Sequence, residues 1–557
     1  MLDQYKSTIS TLANEFPLIG QALLHHTNTR GEPMSFRDFP YLIPLYDRLY
    51  TSKGADIRKG VQTGLSELLI CLSLYQAGWE GKIVAYILPT FSIRDRFVNQ
   101  RINKVILSNE VYKSHLPSTY GTGNNRTKRF GSGSMLFLGS NTTVDFVEFS
   151  ADTMIVDEFD QCDPDNLAKA KDRIRASRDP RMFRIGNPTL PNTGICQLFD
   201  KSNQHHWFTR CPHCNHWQCL DWEKHIVQKN DRDEWVPRDP NALAILKTTK
   251  PEHLKYQILP VCEKCHKPFQ RQSAGDWVPI YPEIERDGFT ISRLDVLTQS
   301  LTDLYQEWTD AQHDTSRLST FYTSVLGKGF EFSGSRITAE MISACSTGEA
   351  LDYGGEIYED ELVSMGVDVG SVLNVVISKQ KINAQGEAIR ESVLIIAVKF
   401  FEELKDLAIR FNVSALVIDS MPETRKCQEL RDWGVENGIN VWLCRFYPTP
   451  RIADQRYGRK LDWRKRVVTV DRTQIMDATF DEYKNTERII PFDSNSVLGF
   501  YAQMKAPVRV IDQNKSRIIW HEGNAPDHFR FADVYDRIAF DMLQMSGLLI
   551  VTGKQRE

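Results

Sequence analysis

The chain has 557 residues, of which 41% are hydrophobic and 25% are charged, and its formal net charge is −4. At about 100–200 residues per domain, this length predicts two or three domains. An aromatic content of 10% excludes a largely disordered or fibrous chain. No run approaches the ~18 apolar residues that a membrane span needs, and the N-terminus lacks the pattern of a secretory signal. We therefore expect an intracellular protein without a membrane segment.

The first part of the chain alternates short apolar runs with polar segments of helical length. The runs are rich in β-branched residues and are bounded by turn residues; they are KIVAYILP (82–89), SMLFLGS (134–140) and TMIVDEFD (153–160). Such runs are typical of strands that are buried in a parallel sheet, with helices between them. The pattern therefore predicts a βαβ sheet.

A glycine-containing segment, RKGVQTGLSE (58–67), precedes an apolar helical run. Glycines let backbone N–H groups and a helix N-terminus face an anion, and a hydroxyl after the second glycine would bind Mg²⁺. Leu65 occupies the position where such loops usually carry a lysine, and Lys59 is the nearby replacement. Taken alone, the segment is better explained as a simple glycine turn before a helix. The residues predicted to hold a nucleotide are Lys59, Gly60, Gln62, Gly64 and Ser66.

Two acids, Asp157 and Glu158, stand at the end of the third apolar run. Asp157 would hold Mg²⁺ through water and Glu158 would polarise the attacking water, unless both are merely solvated acids. A further strand in RMFRIGNPT (181–189) ends in a small polar turn, where Asn187 and Thr189 would sense a γ-phosphate or form an ordinary loop. Because the loop, the acidic pair and the turn occur in the order of a nucleotide-binding sheet, together they predict an ATPase.

Four cysteines occur as two CxxC pairs. They are Cys211, Cys214, Cys262 and Cys265. This spacing is typical of a tetrahedral zinc site, although the chain between the pairs is longer than a compact zinc ribbon uses and predicts an insertion. A four-cysteine site has no open position for chemistry, so we expect Zn²⁺ to stabilise the fold there.

The last part of the chain contains aspartates at positions that suggest a metal site. Asp368 lies inside a predicted strand, where an unpaired carboxylate is costly, and Asp419 ends another strand. Asp533 and Asp536 lie one turn apart on a closing amphipathic helix, and His528 would add a ligand or contact a phosphate. Carboxylates from two strands and a late helix match the RNase H-like plan, in which two divalent metals assist phosphodiester cleavage. Ordinary strand-edge and helix-surface acids are the alternative.

In this order, the segments resemble those of the large terminase subunit of tailed bacteriophages, of the lambda-type, GpA-like family. Each motif is unspecific alone, whereas nine in order along most of the chain are specific. They are FPYLIPLYDRL, KGVQTGLSE, ILPTFSIRDRFVNQRI, IVDEFDQCD, GNPT, the two CxxC pairs, GFTISRL with FYTSVLGKGF, VDVG with IDS, and the closing helix. Position 65 is a leucine where the family usually has a lysine, so Lys59 is the candidate to replace that lysine. The closing helix offers two acids, and Asp533 fits the family's Asp-Leu-Val-Asp pattern better than Asp536 does.

The resemblance implies an α/β fold, with a P-loop (RecA/ASCE-like) ATPase domain that carries a zinc-knuckle insertion, followed by an RNase H-like nuclease domain. We expect the ATPase domain at residues 1–190, the zinc-binding and connecting part at 191–345, a linker at 346–361 and the nuclease domain at 362–557. The resemblance also implies that Arg101 contacts the nucleotide. The implied ligands of Mg²⁺ or Mn²⁺ are Asp368, Asp419 and Asp533, with Asp536 as the second candidate for the third acid.

The activity implied by the resemblance is ATP-driven translocation of double-stranded viral DNA into a procapsid, together with metal-dependent endonucleolytic cutting of concatemers. The implied cofactors are ATP, Mg²⁺ or Mn²⁺, and Zn²⁺. The implied partners are viral DNA, the small terminase subunit, the portal of the procapsid and further copies of the chain in a ring, and the place of action is the host cytoplasm, without a membrane.

Two other functions stay open. An RNase H-like transposase or a helicase-nuclease of DNA repair would share the acids, but no clear run of additional helicase motifs is present. A zinc-bearing DNA-binding scaffold with an inactive ATP site is favoured by Leu65. In such a scaffold Asp157→Ala would leave function unchanged, whereas in a packaging motor it would abolish packaging and spare the nuclease.

Overall fold

The computed structural model describes residues 15–28, 30–116, 125–143, 146, 149–248, 250, 255–271, 274–312, 314–332, 334–355, 361–383, 386–447, 456–512, 517–522 and 525–551. The chain divides into two compact units, Met1–Glu331 and Phe332–Glu557.

A mostly parallel sheet forms the centre of the first unit. Its strands, with the separate pair β9 and β10, are β1 (Ala55–Lys59), β2 (Ile83–Leu88), β3 (Thr127–Phe130), β4 (Gly133–Gly139), β5 (Thr153–Val156), β6 (Arg181–Gly186), β7 (His205–Arg210), β8 (Trp217–Cys219), β9 (Val227–Lys229), β10 (Trp235–Pro237), β11 (Gly275–Pro279) and β12 (Asp287–Ile291). Within the described ranges, ten strands follow the order β11-β7-β12-β1-β6-β5-β2-β4-β3, with β8 beside β7. The strands from β7 to β4 in this order are parallel, and β3, β8 and β11 are antiparallel to their neighbours.

The helices of the first unit cover both faces of this sheet, except that the last three pack in a separate core with Trp222 and Leu326. They are α1 (Pro17–His25), α2 (Leu42–Thr51), α3 (Leu65–Gly78), α4 (Phe91–Phe97), α5 (Asn103–Ser108), α6 (Glu110–Ser114), α7 (Pro164–Ala170), α8 (Gly194–Asp200), α9 (Pro240–Leu246), α10 (Leu301–Ala311) and α11 (Thr315–Thr320). Side chains alternate across each strand, so Val84 and Tyr86 pack in the core that contains α3, and Ala85 and Ile87 pack in the core on the opposite face. The predicted parallel strands, buried on both faces, are confirmed.

The second unit is built on a mixed sheet. Its strands, with the separate pair β20 and β21, are β13 (Val363–Val369), β14 (Leu373–Ile382), β15 (Ala388–Val398), β16 (Ala415–Asp419), β17 (Asn440–Tyr447), β18 (Lys460–Asp462), β19 (Val467–Asp471), β20 (Val508–Asp512) and β21 (Arg517–His521). The sheet order is β15-β14-β13-β16-β17-β19-β18. The first three strands are antiparallel, and β13, β16, β17 and β19 are parallel. This is the expected RNase H-like plan.

The helices of the second unit lie on both faces of its sheet. They are α12 (Ala339–Cys345), α13 (Phe401–Arg410), α14 (Thr424–Glu436), α15 (Arg472–Lys484), α16 (Phe500–Lys505) and α17 (His528–Val551). α13 and α14 pack in one core with Met365 and Val367 of β13, whereas α17 packs in the other. None of the helices in the described ranges is both long and apolar enough to cross a membrane.

The sheets and cores extend beyond the domain limits expected from the sequence. β12 pairs directly with β1, so the first sheet continues past residue 190, where we expected the ATPase domain to end. α12 packs in a core of the second unit, and the two units divide between Glu331 and Phe332, before the linker expected at 346–361. Residues 356–360 of that linker lie outside the described residues. Local patterns missed these limits because strand pairing joins segments that are distant in sequence.

Candidate functional site

Lys59, Glu158 and Asn187 meet at one edge of the first sheet. Parallel strands β1, β5 and β6 end together there, so the residues at and after their carboxyl ends are neighbours. Lys59 Nζ donates to Asn187 Oδ1 at 3.0 Å and lies 3.5 Å from Glu158 Oε1. Only 8% of the Lys59 side chain is exposed. A buried lysine is thus held between an acid and an amide at the edge where such sheets bind ligands.

The two acids after β5 have different surroundings. Asp157 is buried, and its Oδ2 accepts a hydrogen bond from the Tyr86 hydroxyl at 2.8 Å. Glu158 takes the left-handed conformation, with φ of +54°. Burial raises the pKa of Glu158, the charge of Lys59 opposes this rise, and Asp157 adds to it. A carboxylate whose pKa is raised is suited to accept a proton from water.

The loop between β1 and α3 is tied to distant backbone. The Gly60 N–H donates to Ile291 O at 2.8 Å, and the Val61 N–H donates to Ser324 O at 2.7 Å. A Cβ on Gly60 would lie 2.7 Å from Val325 O, so a larger residue does not fit. The backbone of residues 324 and 325 therefore holds the start of the loop.

The same segment also reaches the turn after β6. The Phe330 N–H donates to Thr189 O at 3.1 Å, and a Cβ on Gly329 would lie 2.5 Å from the carbonyl carbon of Leu190. We call residues 324–330 the clamp segment. From the sequence alone it has no predicted role beyond its place in the motif FYTSVLGKGF, because its partners are distant in the chain.

The other predicted loop residues have structural surroundings of their own. Gly64 takes φ of +76°, and a Cβ there would lie 2.8 Å from Leu42 Cδ1. Gln62 also has positive φ, at +59°. Ser66 is partly buried in the first turn of α3, and Leu65 is buried in the core. The usual lysine position therefore faces apolar side chains, while Lys59 reaches the strand ends.

Arg101 pairs with the helix that follows the loop. Its Nη2 lies 2.5 Å from Glu67 Oε1 in the first turn of α3, and His26 Nε2 lies 3.4 Å from the other oxygen. Burial alone would raise the pKa of Glu67, but His26 and Arg101 lower it overall. The structure joins Arg101 to Glu67 and shows no bond from it to Lys59, Glu158 or Asn187 within the described ranges.

Thr189, the second candidate for a phosphate sensor, binds Asp160. Its N–H and its hydroxyl each donate to Asp160 Oδ2 at 3.1 Å, and the Ile195 N–H donates to Oδ1 at 2.6 Å. Burial raises the pKa of Asp160 to about 6. These bonds fix the turn after β6 and leave Asn187 as the residue that meets Lys59.

The four cysteines come together as predicted. Their sulfur atoms all lie within 4.8 Å of one another; Cys211 is 3.8 Å from Cys265, and Cys214 is 3.7 Å from Cys262. A tetrahedron of Zn–S bonds of about 2.3 Å has edges of about 3.8 Å, so these distances fit the ion. Cys211 and Cys214 lie between β7 and β8, at an edge of the first sheet.

Asp368 and Asp419 lie on adjacent parallel strands of the second unit. Val367 pairs with Ile418, which brings the two acids to neighbouring positions. Burial raises the pKa of both carboxyls, and the charge of Asp368 raises that of Asp419 further. His528 Nδ1 lies 2.8 Å from Asp368 Oδ2. A carboxyl whose pKa is raised by a neighbouring like charge favours a bound cation.

A third acid at this site is Asp527, which sequence reasoning missed. Burial raises its pKa to about 6, and the charge of Asp368 contributes to the rise. Among the described residues, its Oδ2 is buried and has no hydrogen-bond partner. It directly precedes α17, and an acid next to a histidine at a helix start is the signal that was available in the sequence.

Asp533 and Asp536 are not at the site where we expected them. Asp536 is fully buried and lies 2.7 Å from Arg390 Nη1, and Asp533 Oδ1 lies 3.2 Å from Arg488 Nη2. These two acids point into a core and are neutralised by arginines. The helix turns both acids toward buried cations, and in the described ranges neither is bonded to Asp368 or Asp419, so the expectation that one of them completes the metal site gains no support from their contacts.

The carboxylates of the second unit suit Mg²⁺ or Mn²⁺, which prefer hard oxygen ligands. In the part of the chain that the structure describes, only the four cysteines bring three or more ligand atoms within 4.8 Å. Asp368, Asp419 and Asp527 are therefore spaced more widely than the ligands of one ion, whereas a two-metal site spreads its ligands over two ions about 3.5–4 Å apart.

A comparison with known protein families finds a match within the first unit. Residues 30–277 match the family model described as phage terminase large subunit gpA, ATPase domain. No curated protein matches the chain.

Solved structures with a similar course of the chain include three terminases. The large terminase of bacteriophage HK97 is 11% identical, with a TM-score of 0.48, over 93% of this chain and 98% of that one. The large terminase ATPase domain of a Thermus phage is 13% identical, with a TM-score of 0.30, over 53% and 97%. The large terminase nuclease of thermophilic phage G20c is 11% identical, with a TM-score of 0.25, over 37% and 98%.

Proposed function

We propose that this chain, whose residues 30–277 match the ATPase domain of the phage terminase large subunits, is such a subunit, an ATP-driven translocase of double-stranded viral DNA and a metal-dependent endonuclease. The observation that carries the ATPase part is the contact of Lys59 with Asn187 and Glu158 at the strand ends. The observation that carries the nuclease part is the pair Asp368 and Asp419 on adjacent parallel strands.

In the ATPase site, Lys59 takes the role that the missing loop lysine has elsewhere, as a cation for the β- and γ-phosphates. Asp157 holds Mg²⁺, which neutralises charge on the phosphates. Glu158 orients and deprotonates the attacking water, and Lys59 keeps the pKa of Glu158 from rising further. The bond from Lys59 to Asn187 gives the turn after β6 a way to sense the phosphate end of the nucleotide.

In the nuclease site, Asp368, Asp419 and Asp527 hold Mg²⁺ or Mn²⁺, which activates water and stabilises the leaving oxygen. His528 donates to Asp368 and fixes the orientation of that carboxylate. The four cysteines hold Zn²⁺ as a structural staple. Viral DNA, the small terminase subunit, the portal and a ring of copies in the host cytoplasm complete the proposed assembly.

ATP hydrolysis tests the proposal directly. We expect Lys59→Ala and Glu158→Ala each to lower turnover by about 10²–10³-fold, the cost of losing one charge-stabilising or proton-accepting group. Lys53→Ala is the matched control, since that lysine is exposed just before the same strand. DNA cleavage should be unaffected in all three variants.

The buried Leu65 favours a second function, a DNA-binding scaffold with an inactive ATP site. If the unchanged protein hydrolyses no ATP with double-stranded DNA and procapsids present, the scaffold is supported. Equal turnover in Lys59→Ala and the unchanged protein would reject Lys59 as the substitute lysine.

A further inference from the structure

The closing helix lies along strand β13 in a fixed register. On β13, alternate residues share one face of the strand; they are Ser364, Gly366 and Asp368. On α17, residues four apart share one face of the helix; they are Asp536, Ala532 and His528. Two residues of a strand rise about 6.6 Å and four residues of a helix rise about 6.0 Å, so the two rows stay in step.

At the inner end of this register, the backbone of α17 lies in close contact with β13. Ser364 Oγ donates to Asp536 Oδ1 at 2.6 Å. One step further, a Cβ on Gly366 would lie 2.1 Å from Ala532 O and 2.0 Å from Asp536 N. These distances lie far inside van der Waals contact, so only a glycine lets the backbone of α17 rest on β13.

Buried charges hold this inner end in place. Asp536 Oδ2 accepts from Arg390 Nη1 at 2.7 Å and from Ser378 Oγ at 2.6 Å, and Arg488 lies 3.4 Å away. All of these groups are buried. Because a buried charge without a partner is costly, α17 cannot slide along β13 without breaking this network.

The outer end of the same register is the metal site. His528 Nδ1 lies 2.8 Å from Asp368 Oδ2, and Asp527, directly before His528, has a buried oxygen without a hydrogen-bond partner among the described residues. In the described part of the chain, neither Asp527 nor His528 pairs with Arg390 or Arg488. Their positions therefore depend on where the inner end places the helix.

We propose that Ser364, Gly366 and Asp536 are positioning residues, which set the register of α17 on β13 and so place Asp527 and His528 against Asp368. This inference rests on the proposed nuclease function. It gives the buried Asp536, which contacts Arg390 and Ser378, a role in the metal site. A site of this kind needs its ligands within about 0.5 Å of their places, whereas a Cβ at position 366 forces a larger shift.

Binding of Mn²⁺ to the full chain, measured from the electron paramagnetic resonance of free Mn²⁺ without nucleotide, tests the proposal. We expect Gly366→Ala to weaken binding by about 10–100-fold, the usual loss when the support of a metal ligand is removed. Ser364→Ala removes one hydrogen bond and adds no volume, so we expect a smaller loss of about threefold to tenfold. Gly354→Ala is the matched control, because its Cβ would meet only Asp352 Oδ1 at 3.5 Å.

A second measurement does not depend on the metal. Hydrogen exchange of residues 528–536 should become faster in Gly366→Ala and in Ser364→Ala, but not in Gly354→Ala. If Gly366→Ala does not fold, Ser364→Ala decides the question by both measurements.

The outcomes separate the two proposals. If the unchanged protein and Asp368→Asn bind Mn²⁺ equally, the nuclease site itself is rejected, and the positioning role with it. If Asp368→Asn loses binding while Ser364→Ala and folded Gly366→Ala bind like the unchanged protein, the nuclease site stands and the positioning role is overturned.

Discussion

Two pairs of aspartates in the second unit have opposite surroundings, although residues of α17 and β13 contribute to both. Asp533 and Asp536 are buried among arginines. Asp368 and Asp419 lie at strand ends, and in the described ranges the one cation within 4 Å of either is His528. The difference teaches that the charge of the partners, and not the spacing of the acids, separates a structural carboxylate from one that is available to a metal.

The comparison fails if both groups stabilise the fold equally. We expect Asp536→Ala to lower the free energy of unfolding by about 3–5 kcal/mol, because the buried Arg390 and Arg488 would each lose one of their carboxylate partners. Asp419→Ala should change it by less than about 1 kcal/mol, since burial already disfavours that charge. Urea denaturation of the two variants measures this, and similar losses would show that Asp419 is structural as well.

DNA cleavage should depend on Asp368 and Asp419, the pair that contributes less to the stability of the fold. We expect Asp368→Asn and Asp419→Asn to lower cleavage of double-stranded DNA at least about a hundredfold, because several kcal/mol of metal-assisted stabilisation is lost. ATP hydrolysis should be unchanged, and the exposed Glu436→Gln is the control. Gel assays of plasmid cutting measure this. Cutting that persists in both variants rejects the site.

The smallest expected effect is a pH dependence. Because the pKa of Asp527 is raised to about 6, cleavage should fall as the pH is lowered through about 6, and excess Mg²⁺ should move the midpoint lower by competing with protons. Without metal, the stability of the fold should depend on pH in the opposite direction. The folded state holds this proton more tightly than the unfolded state, with its pKa of 3.8, so the contribution of Asp527 is present below about pH 4 and lost as the pH rises to about 6.

Profiles of cleavage and of unfolding against pH, with Asp527→Asn as the comparison, test both signs. An unfolding profile of Asp527→Asn that keeps the loss between about pH 4 and 6 would assign that loss to another group.

Much of the fold was predictable because it depends on local pattern. The runs that became β2, β4 and β5 are apolar on both faces, and a parallel sheet covered on both faces buries such runs. Lys59 was identified because it is the cation nearest to the glycine loop. Its contact with Asn187 is consistent with that choice.

The residues whose contacts could not be predicted are all paired with distant segments of the chain. Spacing along α17 made Asp533 and Asp536 look available, since nothing near them in sequence announces Arg390 or Arg488. Asp527 lies just outside the helical pattern and was passed over. Arg101 gave no local sign that Glu67 would pair with it.

The clamp segment sets a lower limit to the length of a fragment that can hold the predicted phosphate loop in place. The match to the ATPase family ends at residue 277, before Ile291, Ser324 and Phe330. A fragment cut there would remove the carbonyl groups that accept from Gly60 and Val61. It would also lose β12, the strand beside β1. A self-sufficient fragment of the first unit therefore has to run through residue 330, almost to the division at Glu331.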